Sequence, residues 1–375
     1  MVLLKVLPQL TTATLSSDDT ANHERRENFR VAMRTLLGEN IHIASVTKLL
    51  DEVEADEWVH FSRDALNGFY CCLALSRHAY RWALMPVVKI AQLEKEIRFP
   101  PELAVPWPYM QRYFGVVADS GNHTSNVLSN FTEGGERMFK FNSTLSPSIQ
   151  STEEAFFKLL YNVEAMGFDI YYDMVIAIVS YQNGKRDSCL RRMRSISDSL
   201  KRVIQLFHQQ MKESRISRRV WLSYVQGFHG WGLGRWIKNE FVQFNGVSGN
   251  HILLFQALDA FLGMEPYLSN EDMVRYIPSG QRSFCRSLKE QCLRGHLDED
   301  KDLELKEEFN AIVRQMKQYR VAHRTRVMPY LKQPAPERFH MTAGKSVLTT
   351  DLNVSIEEAI EPLDHMLATR LKETI

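Results

Sequence analysis

Between Ser151 and Phe228 apolar residues recur at spacings of three and four through three long runs, Phe156 to Gln182, Ser188 to Lys212 and Arg218 to Phe228. That period buries one stripe of an α-helix and builds no sheet face, so this stretch must pack helix against helix. Ser151-Thr152-Glu153-Glu154 suits the start of the first helix, because a hydroxyl cap and early carboxylates complement its free N–H groups and dipole. Leu66 to Leu84 carries a similar stripe ending before Pro86, and Val87 to Ile97 continues helically until Phe99-Pro100-Pro101 stops it. From Pro106 to Gln150 the signal fades into Gly, Ser, Asn and Pro, where Met138-Phe139-Lys140-Phe141 alternates like a short paired strand. Further helices are expected from Ile252 to Met264 and from about Ser355 to Lys372. The expected fold is all-α, with a large helical domain over residues 148–375 and a smaller, mixed but mostly helical N-terminal domain over residues 1–147.

Composition removes several function classes. A net charge of +1 offers no basic field for nucleic acid. No run approaches the roughly 20 apolar residues that span a bilayer, and Met1 to Pro8 is too short for a signal peptide. The five cysteines, Cys71, Cys72, Cys189, Cys285 and Cys292, lack zinc-type spacing and read as reduced thiols. These features predict a cytoplasmic protein with neither nucleic acid nor membrane as partner. His-Glu-x-x-His, paired Cys-x-x-Cys and the nucleophile elbow are all missing from the sequence. Gly344-Lys345-Ser346 lacks the upstream glycine of a phosphate loop, and the glycine-rich stretch Gly227 to Gly249 follows no strand. That stretch is either an ordinary interhelical loop or backbone that lets something large and flat approach.

His323 is the residue with the most chemical potential. Ile312, Met316, Tyr319, His323 and Val327 share one helical stripe, which puts the imidazole on a buried face. Most buried histidines hydrogen-bond to protein groups, and the alternative is a metal on one nitrogen. A haem needs an axial ligand on a helix, an apolar slot and an opposing loop, and this chain has a candidate for each.

Ordered segments along the chain carry a resemblance. Phe99-Pro100-Pro101-Glu102-Leu103, Phe156-Phe157 with Val163-Glu164, His229-Gly230-Trp231, and Ser248-Gly249 followed by Phe255-Gln256-Ala257-Leu258-Asp259 occur in that order. Asp272-Met273-Val274-Arg275-Tyr276-Ile277-Pro278, Arg320-x-x-His323 and Thr342-Ala343-Gly344 follow. Together they resemble the indoleamine 2,3-dioxygenase family of haem enzymes. The resemblance implies a haem b whose iron is held by His323, with O₂ inserted across the indole C2–C3 bond, converting L-tryptophan or a related indole to its N-formyl product as in kynurenine formation. It implies a haem-binding large domain, an N-terminal domain covering the distal pocket, a reductant that keeps iron ferrous, and a monomer. Arg320, one turn before His323, would pair with Asp272 near a propionate, with Ser248, Gly249 and His229 also at the cofactor.

At the family's substrate positions this chain departs. Phe156 is retained, but the distal serine becomes Leu160, the pocket tyrosine Val105, an aromatic Val220 (beside Trp221) and the carboxylate-binding arginine Val225, while Thr342 opens the mobile loop. An arginine–carboxylate contact is worth roughly 1.5–3 kcal/mol, so its loss would weaken tryptophan binding by about one to two orders of magnitude. Arg218, Arg219 or Arg235 could replace it after a local shift. The resemblance therefore leaves two further possibilities, an oxygenase of secondary metabolism on a non-tryptophan indole or pyrrole and a haem-binding relative without turnover.

Overall fold

The computed structural model describes residues 63–83, 93–331 except 133, 144 and 299, and the short pieces 341–342, 345–346, 365 and 368–369. Long antiparallel helices dominate. α1 spans Arg63–Ala83, α2 Pro147–Gln182, α3 Arg186–Gln210, α4 Leu253–Phe261, α5 Asn270–Tyr276, α6 Ser279–Glu290 and α7 Leu303–Leu331. α2 packs along α3, and α3 along α7, while α4 sits between α2 and α6. The all-α class is what this arrangement shows. Among the described residues no helix is long and apolar enough to cross a membrane. The final helix expected near 355–372 lies largely outside the described residues; His365, Ala368 and Thr369 are helical.

Four local expectations change. α2 begins at Pro147, one turn before Ser151, because proline at the first helical position needs no N–H partner. Thr152 and Glu153 are consequently buried inside α2. The carboxylate of Glu153 accepts from the backbone N–H groups of Phe141 and Asn142, each at 2.9 Å, and pairs with the buried Arg137. This also explains why 138–141 forms no strand: the Phe139 N–H goes to the Asn130 side chain at 2.7 Å, and only an isolated bridge, Phe131 to Arg137, remains.

Glu94 to Ile97 is not helical. The Lys95 carbonyl instead accepts from the Gly234 N–H at 2.7 Å, at the edge of an antiparallel hairpin of β1, Gly234–Ile237, and β2, Glu240–Gln243. Lys238 and Asn239 both have positive φ, as a two-residue hairpin turn of mirror-image type requires. Part of the glycine-rich stretch is therefore sheet. Trp231, Leu233 and Phe244 of this region bury against Tyr276 and Ile277 at the end of α5.

Candidate haem site

One apolar cavity lies between α2, α7 and the segment that joins α3 to the hairpin. α7 presents Met316, Tyr319, Arg320, His323 and Val327 to it, and Phe207 of α3 and Phe255 of α4 complete that side. Opposite them α2 contributes Phe156, Phe157, Leu160 and Val163, and the joining segment contributes Trp221, Gln226 and His229. Val247 to Asn250 closes one edge, with Val127 nearby.

The His323 ring packs against those of Phe207 and Tyr319, with centroids 5.8 Å away in each case. The residue is half-buried, and the cavity is what its ring borders. The surrounding protein pushes its pKa down to about 4 by desolvation, so the imidazole is neutral at physiological pH and keeps a lone pair for a metal.

Arg320 also borders the cavity, but its partner is not Asp272. Its guanidinium is ion-paired with Asp259 of α4, a carboxylate only 2% exposed. Asp272 sits in the first turn of α5, where its N–H donates to Ser269 Oγ at 3.1 Å and its carboxylate faces Arg275 at 3.8 Å. Packing decides between the two carboxylates: Asp259 points from a neighbouring buried helix, whereas Asp272 is occupied by Arg275 on its own helix.

The edge loop is held by its own polar groups. Ser248 Oγ accepts from the Asn250 N–H at 3.2 Å, and the Ser248 N–H donates to His251 Nδ1 at 3.4 Å. The Asn250 carbonyl accepts from Tyr267 Oη at 2.7 Å. A β-carbon built at Gly249 would meet nothing within 4 Å, so protein packing does not explain a glycine there. At Gly246 the opposite holds, with the carbonyl oxygen of His229 only 1.7 Å from such an atom.

The joining segment departs from α-helical geometry. A turn of α-helix, Arg218–Val220, leads into a π-helical stretch, Trp221–Gln226, and an α turn, Gly227–His229, closes it. In a π-helix residues i and i+5 bond, so Trp221 and Gln226 share a face; on an α-helix they would lie about 140° apart. Val225, the position expected to face the substrate, is instead fully buried in the core and does not border the cavity. Val220 and Val105 are half-buried and do not border it either, Trp221 taking the place of Val220. Gln226 is the residue that sequence reasoning missed, because one extra residue per turn leaves no mark on an apolar pattern. Thr342 lies in a two-residue strand paired with Lys345–Ser346; its side chain is outside the described residues, as are Ala343 and Gly344.

His229 is 4% exposed and packs in a ring of aromatics, 4.9 Å from Phe157 and 5.4 Å from Phe141 between centroids. Burial first, then the neighbouring His78, Arg137 and His123, hold its pKa well below the ordinary value. Its backbone is fixed from the other side. The preceding Phe228 carbonyl accepts from Trp82 Nε1 at 2.9 Å and lies 3.0 Å from His78 Nδ1. The other ring nitrogen of His78, Nε2, lies 2.8 Å from the Ser120 carbonyl oxygen and 3.2 Å from Asn126 Nδ2, so each ring nitrogen faces a backbone carbonyl. Arg218 pairs with Glu213 and Arg235 with Asp119, and neither these nor Arg219 border the cavity.

The family model of indoleamine 2,3-dioxygenase matches residues 44–361. The chain belongs to the indoleamine 2,3-dioxygenase family. This is a family of haem-dependent dioxygenases, and the cavity suits that cofactor. A neutral imidazole borders an apolar slot, a glycine leaves open space at its edge, and buried polar atoms on the opposite wall lack protein partners. Among the described residues no group of three or more His, Cys, Asp or Glu side chains could hold a metal ion by itself.

Proposed function

We propose that the protein is a haem b dioxygenase that inserts O₂ across the C2–C3 bond of an indole, L-tryptophan or a closely related compound. The observation that carries this reading is the neutral His323 imidazole on one wall of an apolar, aromatic-rich cavity in a chain of this family. Haem, when bound, would supply the iron that activates O₂. His323 would hold that iron through one ring nitrogen, and Arg320, held in place by its ion pair with Asp259, would offer guanidinium N–H donors to a propionate. Ser248 and the open space at Gly249 would border the macrocycle, and His229 would face it from the opposite wall. Phe156, Leu160 and Trp221 would exclude water and pack the indole ring.

The domain reading stands beside this one. Residues 1–147 would cover the distal side and residues 148–375 would carry the haem, the junction coinciding with the start of α2 at Pro147. A cytoplasmic monomer supplied with electrons by a separate reductant completes the proposal. The absence of an arginine among the joining-segment residues that border the cavity favours a second reading, a non-tryptophan indole as substrate.

Anaerobic reduction of haem-loaded protein, addition of an indole and then O₂, with product mass as readout, tests the reaction. A gain of two oxygen atoms is expected, and a gain of one or none overturns it. His323→Ala should abolish stable haem incorporation. Full haem binding with an unchanged spectrum in that variant would show that His323 is not the ligand.

A further inference from the structure

We propose that Trp221, Gln226 and His229 form an uncharged hydrogen-bonding wall that selects neutral indoles carrying an acceptor group over amino-acid zwitterions, with Gln226 determining the preference. The inference rests on the haem dioxygenase reading above and names the substrate class for it.

Three observations meet on nine consecutive residues. Each of these side chains borders the cavity, and each is more than nine-tenths buried. Trp221 Nε1, Gln226 Nε2 and both ring nitrogens of His229 have no hydrogen-bond partner. Buried polar atoms without partners carry a desolvation cost, so several on one short segment call for an acceptor supplied from outside the chain. The π-helical closure is what gathers them. It places Gln226 on the face of Trp221, and His229, three residues later in an α turn, follows on that face.

The chemistry of the wall specifies its ligand. An indole N–H, an amide N–H and one N–H of a neutral imidazole are all donors, and none carries charge. Arg320 is the one Arg or Lys among the described residues bordering the cavity, and Asp259 already neutralises it. Arg137, near His229, is likewise engaged by Glu153. A carboxylate at this wall would be desolvated without a counter-charge, which is costly, whereas a carbonyl or hydroxyl oxygen would only exchange water for these donors. Phe156, Leu160 and Val163 supply apolar surface for the ring.

Titration of the haem-loaded full-length protein with indole, indole-3-acetamide and L-tryptophan, read as ligand-induced shifts of the haem absorption band, tests this. Indole-3-acetamide should bind about tenfold or more tighter than either of the others, the worth of one or two well-made hydrogen bonds. Gln226→Leu should bring indole-3-acetamide to within about threefold of indole while moving indole itself by less than about threefold. The ligand-free variant should melt no lower than wild type, because it loses an unsatisfied buried donor. Gln226→Met, unbranched and similar in volume, repeats the test should leucine disturb packing. Tightest binding of L-tryptophan, or an acetamide-to-indole ratio untouched by both variants, overturns the inference alone. Haem-loaded wild type that responds to none of the three compounds overturns the indole reading together with it.

Discussion

Gly246 lies so close to His229 that a β-carbon on the glycine would fall 1.7 Å from the histidine's carbonyl oxygen. The loop after the hairpin and the end of the π-helical segment are thus in backbone contact, and no side chain fits between them. Gly246→Ala must push the two apart. A loss of about 1–3 kcal/mol is expected, as for other overpacked sites. Gly249→Ala meets no protein atom, so its apoprotein should melt within a degree or so of wild type while its haem affinity falls. Equal melting temperatures for both variants, measured without haem, would contradict the contact at Gly246.

The pairing of Arg320 with Asp259 makes a second expectation. Both groups are at least 90% buried as side chains, so Asp259→Asn leaves a guanidinium without its counter-charge. Removing one partner of a buried pair costs about 3–5 kcal/mol. Asp272→Asn touches a partly exposed charge on α5 and should cost less than about 1 kcal/mol. Urea unfolding of the two variants decides the matter, and a larger loss at Asp272 would restore the pairing expected from sequence.

Acid should destabilise the fold well above the carboxylate range. Burial holds His78 down to about 4 and His123 down to about 3, although two backbone contacts partly counter it at His78. In the unfolded chain both titrate near 6.5, so between about pH 6.5 and 4 the unfolded state binds more protons. Stability therefore falls as pH falls through that window, by up to roughly 1.4 kcal/mol per pH unit for each histidine. Glu164, whose carboxyl burial pushes upward, opposes the trend at its lower end. Urea midpoints at pH 7, 6 and 5 measure the slope, and a flat profile would mean that these rings are not buried neutral.

Glu153 offers a test of the region beneath the cavity. Its carboxylate joins α2 to the Phe141 and Asn142 backbone and to Arg137. Glu153→Gln loses the charge that Arg137 requires and should cost about 3 kcal/mol or more. Hydrogen exchange at the Phe141 and Asn142 amides should accelerate with it; unaltered protection there would show that other contacts hold the loop.

Much of this architecture is legible in the sequence. The runs forming α2 and α3 and the stripe carrying His323 on α7 are long and strongly periodic, and Phe156, His229, Ser248, Gly249 and Arg320 are found around the same cavity. What was illegible depends on small offsets or on distance. Glu153 looks like a cap but is a loop anchor, because the helix starts one turn earlier at Pro147. Asp259 and Asp272 are both acidic residues on helices, and only packing tells which one reaches Arg320. Val225 is where the resemblance places the family's carboxylate-binding arginine, yet in the π-helical stretch it is Gln226 that borders the cavity.

That π-helical stretch also changes what kind of mutation would retune the pocket. A π-helical turn is an α-helix holding one surplus residue. Deleting a residue between Trp221 and Gln226 would rotate everything upstream relative to His229 by about 100°, exchanging a whole face in one event. On the proposed reading, substrate preference would be set as much by chain length as by side-chain identity, and scans that replace residues one at a time would never sample its largest step.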